Sequence, residues 1–457
     1  MEHIHFIGIG GTGLSAIAKV LLEQGYKVSG SDLTASPLSE AVEMAGGKVY
    51  LGHQAENIHG ADIVVRSSAV PEANIEVQAA KASKVPVLKR AEFMECLLEG
   101  KEVTAVAGSH GKTTTTSMIT WILSALDKDP SFIVGGVVAN LMTNAHAGEG
   151  SDFVIEADEY DYMFLGLSPS RAVITNVEHD HPDIFPTEES FQQAFRDFVN
   201  KLKPDGILFL CGEDPSALQL KKEMKPGQQL VIYGFEGPDR DYIARNLQTT
   251  NNAGIDFEVV SVSDQESDPL PITLQVPGEH NVLNALAAFA VADGMDLPRE
   301  EISRALADFK GSERRFDIRG EYKGILLIDD YAHHPTEIKA TLSAAREAYP
   351  DRRIWAVWQP HTYSRTQTLF SGFSEAFFDA DQVIVLDVYA AREKKPEGFS
   401  AADLVKKIKG INVNFLPEKE QALDYLSKEL SAGDLLLIFT AGDAIEINHQ
   451  LEQILSR

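Results

Sequence analysis

Cysteine is scarce in this chain: Cys96 and Cys211 are the only two among 457 residues. Neither sits in a CxxC or other metal-type spacing, which points to a reducing compartment. Long apolar runs are missing too. No uninterrupted stretch approaches the roughly 20 residues that span a bilayer. The apolar start, "MEHIHFIGIGGTGLSAIAKVLL", lacks a basic leader and is broken by glycines, so it reads as strand, turn and helix rather than as a signal peptide. Basic residues are outnumbered, 41 against 68 acidic ones, for a net charge of −27. That excludes the basic face a nucleic-acid partner needs. It leaves room for anionic small molecules held by backbone amides and one or two cations. A cytoplasmic protein with no membrane or nucleic-acid partner is expected. Oligomeric state is not legible from the sequence.

What is present is alternation. Short β-branched runs ("HIHFIGI", "KVSGSD", "DIVVRS", "PVLKR") are separated by helical patterns, which implies a parallel sheet with covering helices. A second unit opens at "EVTAVAG" and continues through "FIVGG", "DFVIEA", "AVITNV" and "GILFL". "QLVIYG", "GIDFEVVSV" and "PITLQV" read as an antiparallel section, with "SDQESDP" as a solvated hairpin loop. The helix "NVLNALAAFAVADG" follows. A third unit holds "GILLIDDYAHHP", "RRIWAVWQP", "QVIVLDVY" and "DLLLIFTAG". With boundaries near Gly100 and Gly311, the expectation is an α/β protein of three domains: residues 1–100, 101–311 and 312–457.

Two glycine loops carry the first chemistry. "GSHGKTTT" joins a strand to a helix, the context a phosphate-binding loop requires, although Val106 stands where the usual first glycine would be. Gly111 lets backbone approach a phosphate. Lys112, expected to stand exposed, adds a charge where free amides and the helix dipole already favour anions. Thr113 offers a hydroxyl to Mg²⁺. The N-terminal "GIGGTG" supplies Gly8, Gly10 and Gly13, with Asp32 at the end of the next strand. Taken alone it suits NAD or any other diphosphate ligand. Strand ends after "VIEADEYD" and "VITNVEHDHPD" place carboxylates and histidines where open sheets bind ligands. Of these, Glu156 and His181 read as metal ligands, and Asp158 and His179 as solvated loop residues. Asn281 and Asn284 lie three apart on one helical face, suited to a purine edge. His333 and His334 lack zinc-protease spacing and instead suit substrate orientation. Arg365 is a candidate carboxylate clamp.

The ordered set "GIGGTGLS", "GSHGKTTT", "EADEYD", "TNVEHDH", "GEHNVLNALAA", "RRFD", "DDYAHHPTE" and "PHTYSRT" resembles the Mur ligases over nearly the whole chain. The resemblance implies an N-terminal Rossmann-like UDP-sugar domain, a central P-loop ATPase with a mixed sheet and a C-terminal Rossmann-like domain. It implies ATP-driven amide formation between the lactyl carboxylate of UDP-N-acetylmuramate and the amine of L-alanine. By the same resemblance ATP meets Gly108, Ser109, His110, Gly111, Lys112, Thr113, Thr114, Asn281, Asn284 and Arg315. Mg²⁺ meets Thr113, Glu156 and His181. The UDP-sugar meets Gly8, Gly10, Gly11, Thr12, Gly13, Asp32, Ser67 and Ser68. His333, His361 and Arg365 meet the amino acid, and Lys112, His181, Arg315 and His333 carry the catalysis. The family's phosphate loop is short, so Val106 is expected. Ser109 replaces the commoner Thr, Thr362 stands where many members carry Arg, and "FTAGDA" departs from the usual "GAGDI". Competing readings are a related ligase adding another amino acid or a murein peptide, an NAD-dependent oxidoreductase, and a non-catalytic nucleotide-binding regulator.

Overall fold

The computed structural model describes residues 2–250, 253–262, 268–391, 393–408 and 411–456. Most of "SDQESDP" lies outside them. The chain forms two compact units. Unit 1 comprises residues 1–178, 192–242 and 287–305, and unit 2 comprises residues 179–191, 243–286 and 306–457.

Unit 1 holds two sheets. The first is all parallel, in the order Lys48–Leu51, Lys27–Asp32, His3–Ile7, Ile63–Arg66, Val87–Lys89. The order reverses beside His3–Ile7, so a ligand crevice opens at that strand's carboxyl end, where the first glycine loop begins. The edge strand Lys48–Leu51 is not apparent from "KVYL" alone. Ile7, Val64, Val77 and Ala80 pack under one face of this sheet. The second sheet runs Gln229–Gly234, Ile207–Cys211, Arg171–Ile174, Glu102–Ala107, Asp152–Glu156, Ser131–Val138, Thr143–His146, with only the last pair antiparallel. "QLVIYG" is therefore parallel to its neighbour, against the expected antiparallel section. A buried strand on either side of the pairing reads the same in both directions.

The helix Lys112–Ala125 is buried along most of its length although it opens with four consecutive threonines, which are weak helix formers. The polar side chains are satisfied within the helix. Thr116 and Ser117 donate to the carbonyls of Lys112 and Thr113, both at 2.7 Å.

In unit 2 the strands Ile255–Ser261 and Leu270–Leu274 pair antiparallel, as expected, beside Tyr242–Thr249. A six-stranded sheet runs Asp317–Tyr322, Ile325–Asp330, Asp434–Phe439, Arg353–Trp358, Gln382–Val385, Asn412–Phe415, parallel except for the first pair. Apolar clusters cover both of its faces, one around Ile328, Trp358 and Phe377 and the other around Leu327, Ile384 and Leu436. That double burial explains the continuous apolar runs "ILLI" and "DLLLIF". No described helix is long and apolar enough to cross a membrane.

Candidate functional site

The first glycine loop is braced by its own acid. Asp32 Oδ2 accepts from Gly10 N and Oδ1 from Leu33 N, both at 2.8 Å. Gly8 has φ +87°, and a Cβ there would sit 2.9 Å from Ser67 Cβ. Gly11 caps the helix Thr12–Glu23 with no side-chain bond to its first turn, which leaves free N–H groups aimed out of the helix end. Thr12 and Ser68 are exposed. Arg90 lies over Gly13, where a Cβ would come within 2.3 Å of its Nη1.

The second loop is stitched to the neighbouring strand's end. Ser109 N donates to Asn176 O at 3.1 Å, Ser109 Oγ donates to Glu178 O at 2.6 Å, and Glu178 N donates back to that hydroxyl at 2.8 Å. Asn176 accepts from His110 N at 2.9 Å and donates to His110 O at 3.1 Å. His110 Nε2 lies 3.1 Å from Glu178. Gly108, at φ +141°, would place a Cβ 1.9 Å from Thr175 Oγ1, so only glycine fits there. Gly111 is left-handed at φ 81° and opens the helix without a side-chain cap. Thr114 is buried in its first turn.

The segment from 156 to 159 divides its three acids among four partners. Glu156 accepts from Thr113 Oγ1 at 3.1 Å and from Gly135 N at 2.7 Å. Asp158, expected in solvent, pairs with Arg90 at 2.7 Å. Glu159 pairs with Lys112 at 2.9 Å. Lys112 is not the exposed lysine the sequence suggested. Its side chain is 13% accessible, and Nζ also donates to Gly108 O at 2.5 Å and Ser109 O at 3.2 Å. Burial would lower its pKa, but Glu159, then Glu156, hold it above the usual lysine range. Beside the first loop, Thr12, Gly13, Arg90, Gly135, Glu156 and Asp158 line part of a cavity of about 150 Å³.

Unit 2 gathers a buried cluster. Arg365 Nε and Nη2 donate to Asp180 at 2.7 and 3.3 Å, with both side chains 4% accessible. Its Nη1 meets His361 Nδ1 at 3.0 Å and its Nη2 meets His181 Nδ1 at 3.3 Å. The carboxylate that Arg365 clamps here is therefore Asp180. Burial alone would raise the Asp180 carboxyl, but Arg365, with His181 and His333, holds it well below its ordinary range. His361 is pushed down to about 4 by burial and by Arg365. Because an arginine only donates, His361 Nδ1 accepts and the proton rests on Nε2. His333 is the opposite tautomer. Its Nδ1 faces Tyr331 O at 3.0 Å, which only accepts, so Nε2 keeps the lone pair. Burial, then Arg365, hold His333 well below its usual pKa, so it is neutral. The His333 and His361 rings meet edge to face, with centroids 5.9 Å apart. His181 has φ 52°, an uncommon backbone for a non-glycine residue. His179 bonds Phe185 O at 2.8 Å, so it is a packed residue rather than a solvated one.

Asn281 donates to Pro277 O at 2.7 Å and accepts from Asn284 at 3.1 Å. The two amides are thus coupled at the start of the helix Glu279–Asp293. Arg315 lies 3.6 Å from Glu337 and packs on the Tyr331 ring. Arg314, also over that ring, donates to Thr440 O at 2.6 Å, and Thr440 in turn bonds Gln359 at 2.5 Å. The departure "FTAGDA" thus supplies a bond of the scaffold. The sequence reading missed Asp330. It accepts from Phe316 N at 3.0 Å, Ala332 N at 2.7 Å and Thr341 Oγ1 at 3.2 Å, so it fixes the segments that carry Arg315 and His333. An acid ending a buried strand was the signal available. Arg90 gave no such signal.

The structure thus brings Lys112, Thr113 and Glu156 together in unit 1, and His181, His333, His361 and Arg365 together in unit 2. Family models match three successive stretches: Mur ligase family, catalytic domain, over residues 3–102; Mur ligase middle domain over 106–292; and Mur ligase, glutamate ligase domain, over 314–442. The chain is 42% identical over 455 residues to a UDP-N-acetylmuramate–L-alanine ligase of Geobacter sp. (strain M21), covering 99% of this chain and 97% of that protein. The solved UDP-N-acetylmuramate–alanine ligase of Thermotoga maritima superposes with a TM-score of 0.84 at 29% identity, over 100% of both chains. A murein peptide ligase of Psychrobacter arcticus 273-4 gives 0.74 at 25% identity, over 100% of this chain and 99% of that one. With sequence and fold in agreement over nearly its full length, the chain belongs to the Mur ligase family.

Proposed function

We propose that this protein is the ATP-dependent ligase that joins L-alanine to the lactyl carboxylate of UDP-N-acetylmuramate, a step of peptidoglycan precursor synthesis in the cytoplasm. The observation that carries this reading is the pairing of two glycine loops, one at each sheet's carboxyl end, with a cavity at the first loop that reaches Glu156, the acid to which Thr113 of the second loop donates. The loop from Gly8 to Gly13, with Thr12, Ser67 and Ser68, binds the UDP-sugar, and Asp32 braces it. An oxidoreductase reading would account for this first loop but leaves "GSHGKTTT" and "HNVLN" unexplained. The loop from Gly108 to Thr114 binds the ATP phosphates. Asn281, Asn284 and Arg315 bind the nucleotide as well. Residues 1–100, 101–311 and 312–457 divide these tasks.

A lactyl carboxylate oxygen attacks the γ-phosphorus, the bond to the β-phosphate oxygen breaks, and ADP leaves. The amine of L-alanine then attacks the acyl carbon and inorganic phosphate leaves. The protein supplies position and charge. Lys112 neutralises phosphate. His333 Nε2, neutral and carrying a lone pair, accepts the proton the ammonium group must lose. His361 Nε2–H and Arg365 orient the amino acid, with Arg365 fixing the tautomer of His361. Thr113 Oγ1 and Glu156 are adjacent hard oxygen donors and suit Mg²⁺, which when bound neutralises phosphate charge. His181 joins them as a ligand only if Arg365 releases its Nδ1. Coupled ADP release tests the reading. It should require both UDP-N-acetylmuramate and an amino acid, with L-alanine preferred over glycine and serine. No ADP release with all substrates present would leave a nucleotide-binding regulator. Preference for a murein tripeptide would assign the sister activity.

A further inference from the structure

Glu159 has no role in the reading above, yet its side chain is 1% accessible and both its oxygens lie within 3.0 Å of Lys112 Nζ. An ammonium group has three protons. The carbonyls of Gly108 and Ser109 and the Glu159 carboxylate account for three acceptors. Glu159 is itself held in a tight turn. Its carbonyl accepts from Tyr162 N at 2.9 Å, and the preceding Asp158 accepts from Tyr160 N at 3.0 Å. Asp161 and Tyr162 both take left-handed φ, 52° and 56°, a conformation uncommon in non-glycine residues. This short, bent segment therefore places a carboxylate beneath the phosphate loop.

We propose that Glu159 is the positioning residue for Lys112: its two oxygens hold the ammonium group in place at the phosphate loop before nucleotide arrives. This rests on the reading of Lys112 as the phosphate-binding lysine. A long side chain without that anchor regains rotamer freedom, and its charge is no longer aimed at the loop. Asp158, whose carboxylate is taken by Arg90, does not replace Glu159. Glu156 is engaged by Thr113 and Gly135.

The test is the split between substrates in steady-state kinetics. In Glu159→Gln, kcat/KM for ATP should fall on the order of tenfold while KM for UDP-N-acetylmuramate stays as in the wild type, because only the lysine of the phosphate loop is loosened. Glu159→Asp should restore most of the loss. The wild type supplies a second measurement that needs no variant. Pulse labelling with an amine-reactive anhydride, read by mass spectrometry, should leave Lys112 among the least modified lysines, and E159Q should expose it. An unchanged kcat/KM for ATP in E159Q overturns the proposal. So does rapid labelling of Lys112 in the wild type. ADP affinity of Lys112→Ala separates the two readings: if that variant binds ADP as the wild type does, the phosphate assignment itself fails, whatever E159Q shows.

Discussion

Asp180→Asn removes the carboxylate from the most buried ion pair of unit 2 while keeping its volume. Arg365 and Asp180 are both 4% accessible and meet through two hydrogen bonds, at 2.7 and 3.3 Å. At an effective dielectric of about 20, charges about 4 Å apart attract by about 4 kcal/mol. Independently, deleting one partner of a buried pair costs about 3–5 kcal/mol, because the survivor is left charged and unsolvated. An asparagine oxygen still accepts one bond, so a loss of about 3 kcal/mol is expected. For a unit of this size, each kcal/mol moves the midpoint by about 2–4 °C, so the unit 2 transition should fall by about 6–12 °C in calorimetry. Turnover should fall as well, because Arg365 without its anchor no longer fixes His361 and His181. The double variant Asp180→Leu/Arg365→Met should be more stable than either single change, since it leaves no orphan charge. A midpoint within about 1 °C of wild type in D180N would refute the reasoning, since it would mean water reaches Arg365.

Lys112→Ala should reduce kcat by about 10²-fold or more in the ADP-release assay. It should also lower the melting temperature, because Glu159 is left buried without its cation; full stability would contradict the observed pairing. Gly108→Ala should abolish ATP binding in calorimetric titration, since its Cβ would overlap Thr175 Oγ1, which is itself held by the carbonyls of Ala107 and His110. Glu76 is buried, accepts from Ser31, Asn57 and Gln54, and has its pKa pushed down to about 2: burial would raise it, and those bonds with His5 outweigh burial. A carboxyl lowered on folding stabilises above its unfolded pKa, so about 3 kcal/mol should disappear as pH falls from about 4.5 to 2. Glu76→Gln should flatten that part of the acid-denaturation curve. Chelating divalent metal should stop ADP release, and Glu156→Gln should raise the Mg²⁺ concentration that restores it.

Strands buried on both faces were legible because they are short runs rich in apolar and β-branched residues: "HIHFI", "EVTAVA", "ILLIDD" and "DLLLIF" all fall on observed strands. The strands that were missed are Lys48–Leu51, Thr143–His146, Tyr242–Thr249, Asp317–Tyr322 and Asn412–Phe415. Edge strands such as Lys48–Leu51 and Asn412–Phe415 need no continuous apolar run, so periodicity is weak there. Glycine loops were legible because positive φ and close approach leave few substitutes. Gly8, Gly108 and Gly111 all have φ above +80°. Residues that act through a partner far along the chain were not legible. Arg90 and Asp158 are 68 positions apart, and Asp180 and Arg365 are 185 apart. No local pattern announces either pair. Exposure was misjudged at Lys112 for the same reason: a lysine after GSHG reads as solvent-facing until Glu159 is placed beside it.

The long-range pairs also explain how a chain with net charge −27 can take anionic substrates. The cations of the candidate site do not stand in solvent. Lys112 has Glu159, Arg90 has Asp158, Arg315 has Glu337 and Arg365 has Asp180. An unpartnered cation in these half-buried places would lose much of its hydration. A carboxylate within about 4 Å offsets that loss and fixes the side chain's direction before any ligand binds. Binding a phosphate or a carboxylate is then an exchange of anions, or an addition to an already oriented pair, and not the ordering of a loose side chain. The cost is a local negative charge that the ligand must meet as well. On the proposed reading, that charge is what a divalent cation beside Glu156 and Thr113 would offset. The same acids that make the protein acidic therefore hold its few functional cations in place, and removing any one of them should disturb its cation more than it relieves the overall charge.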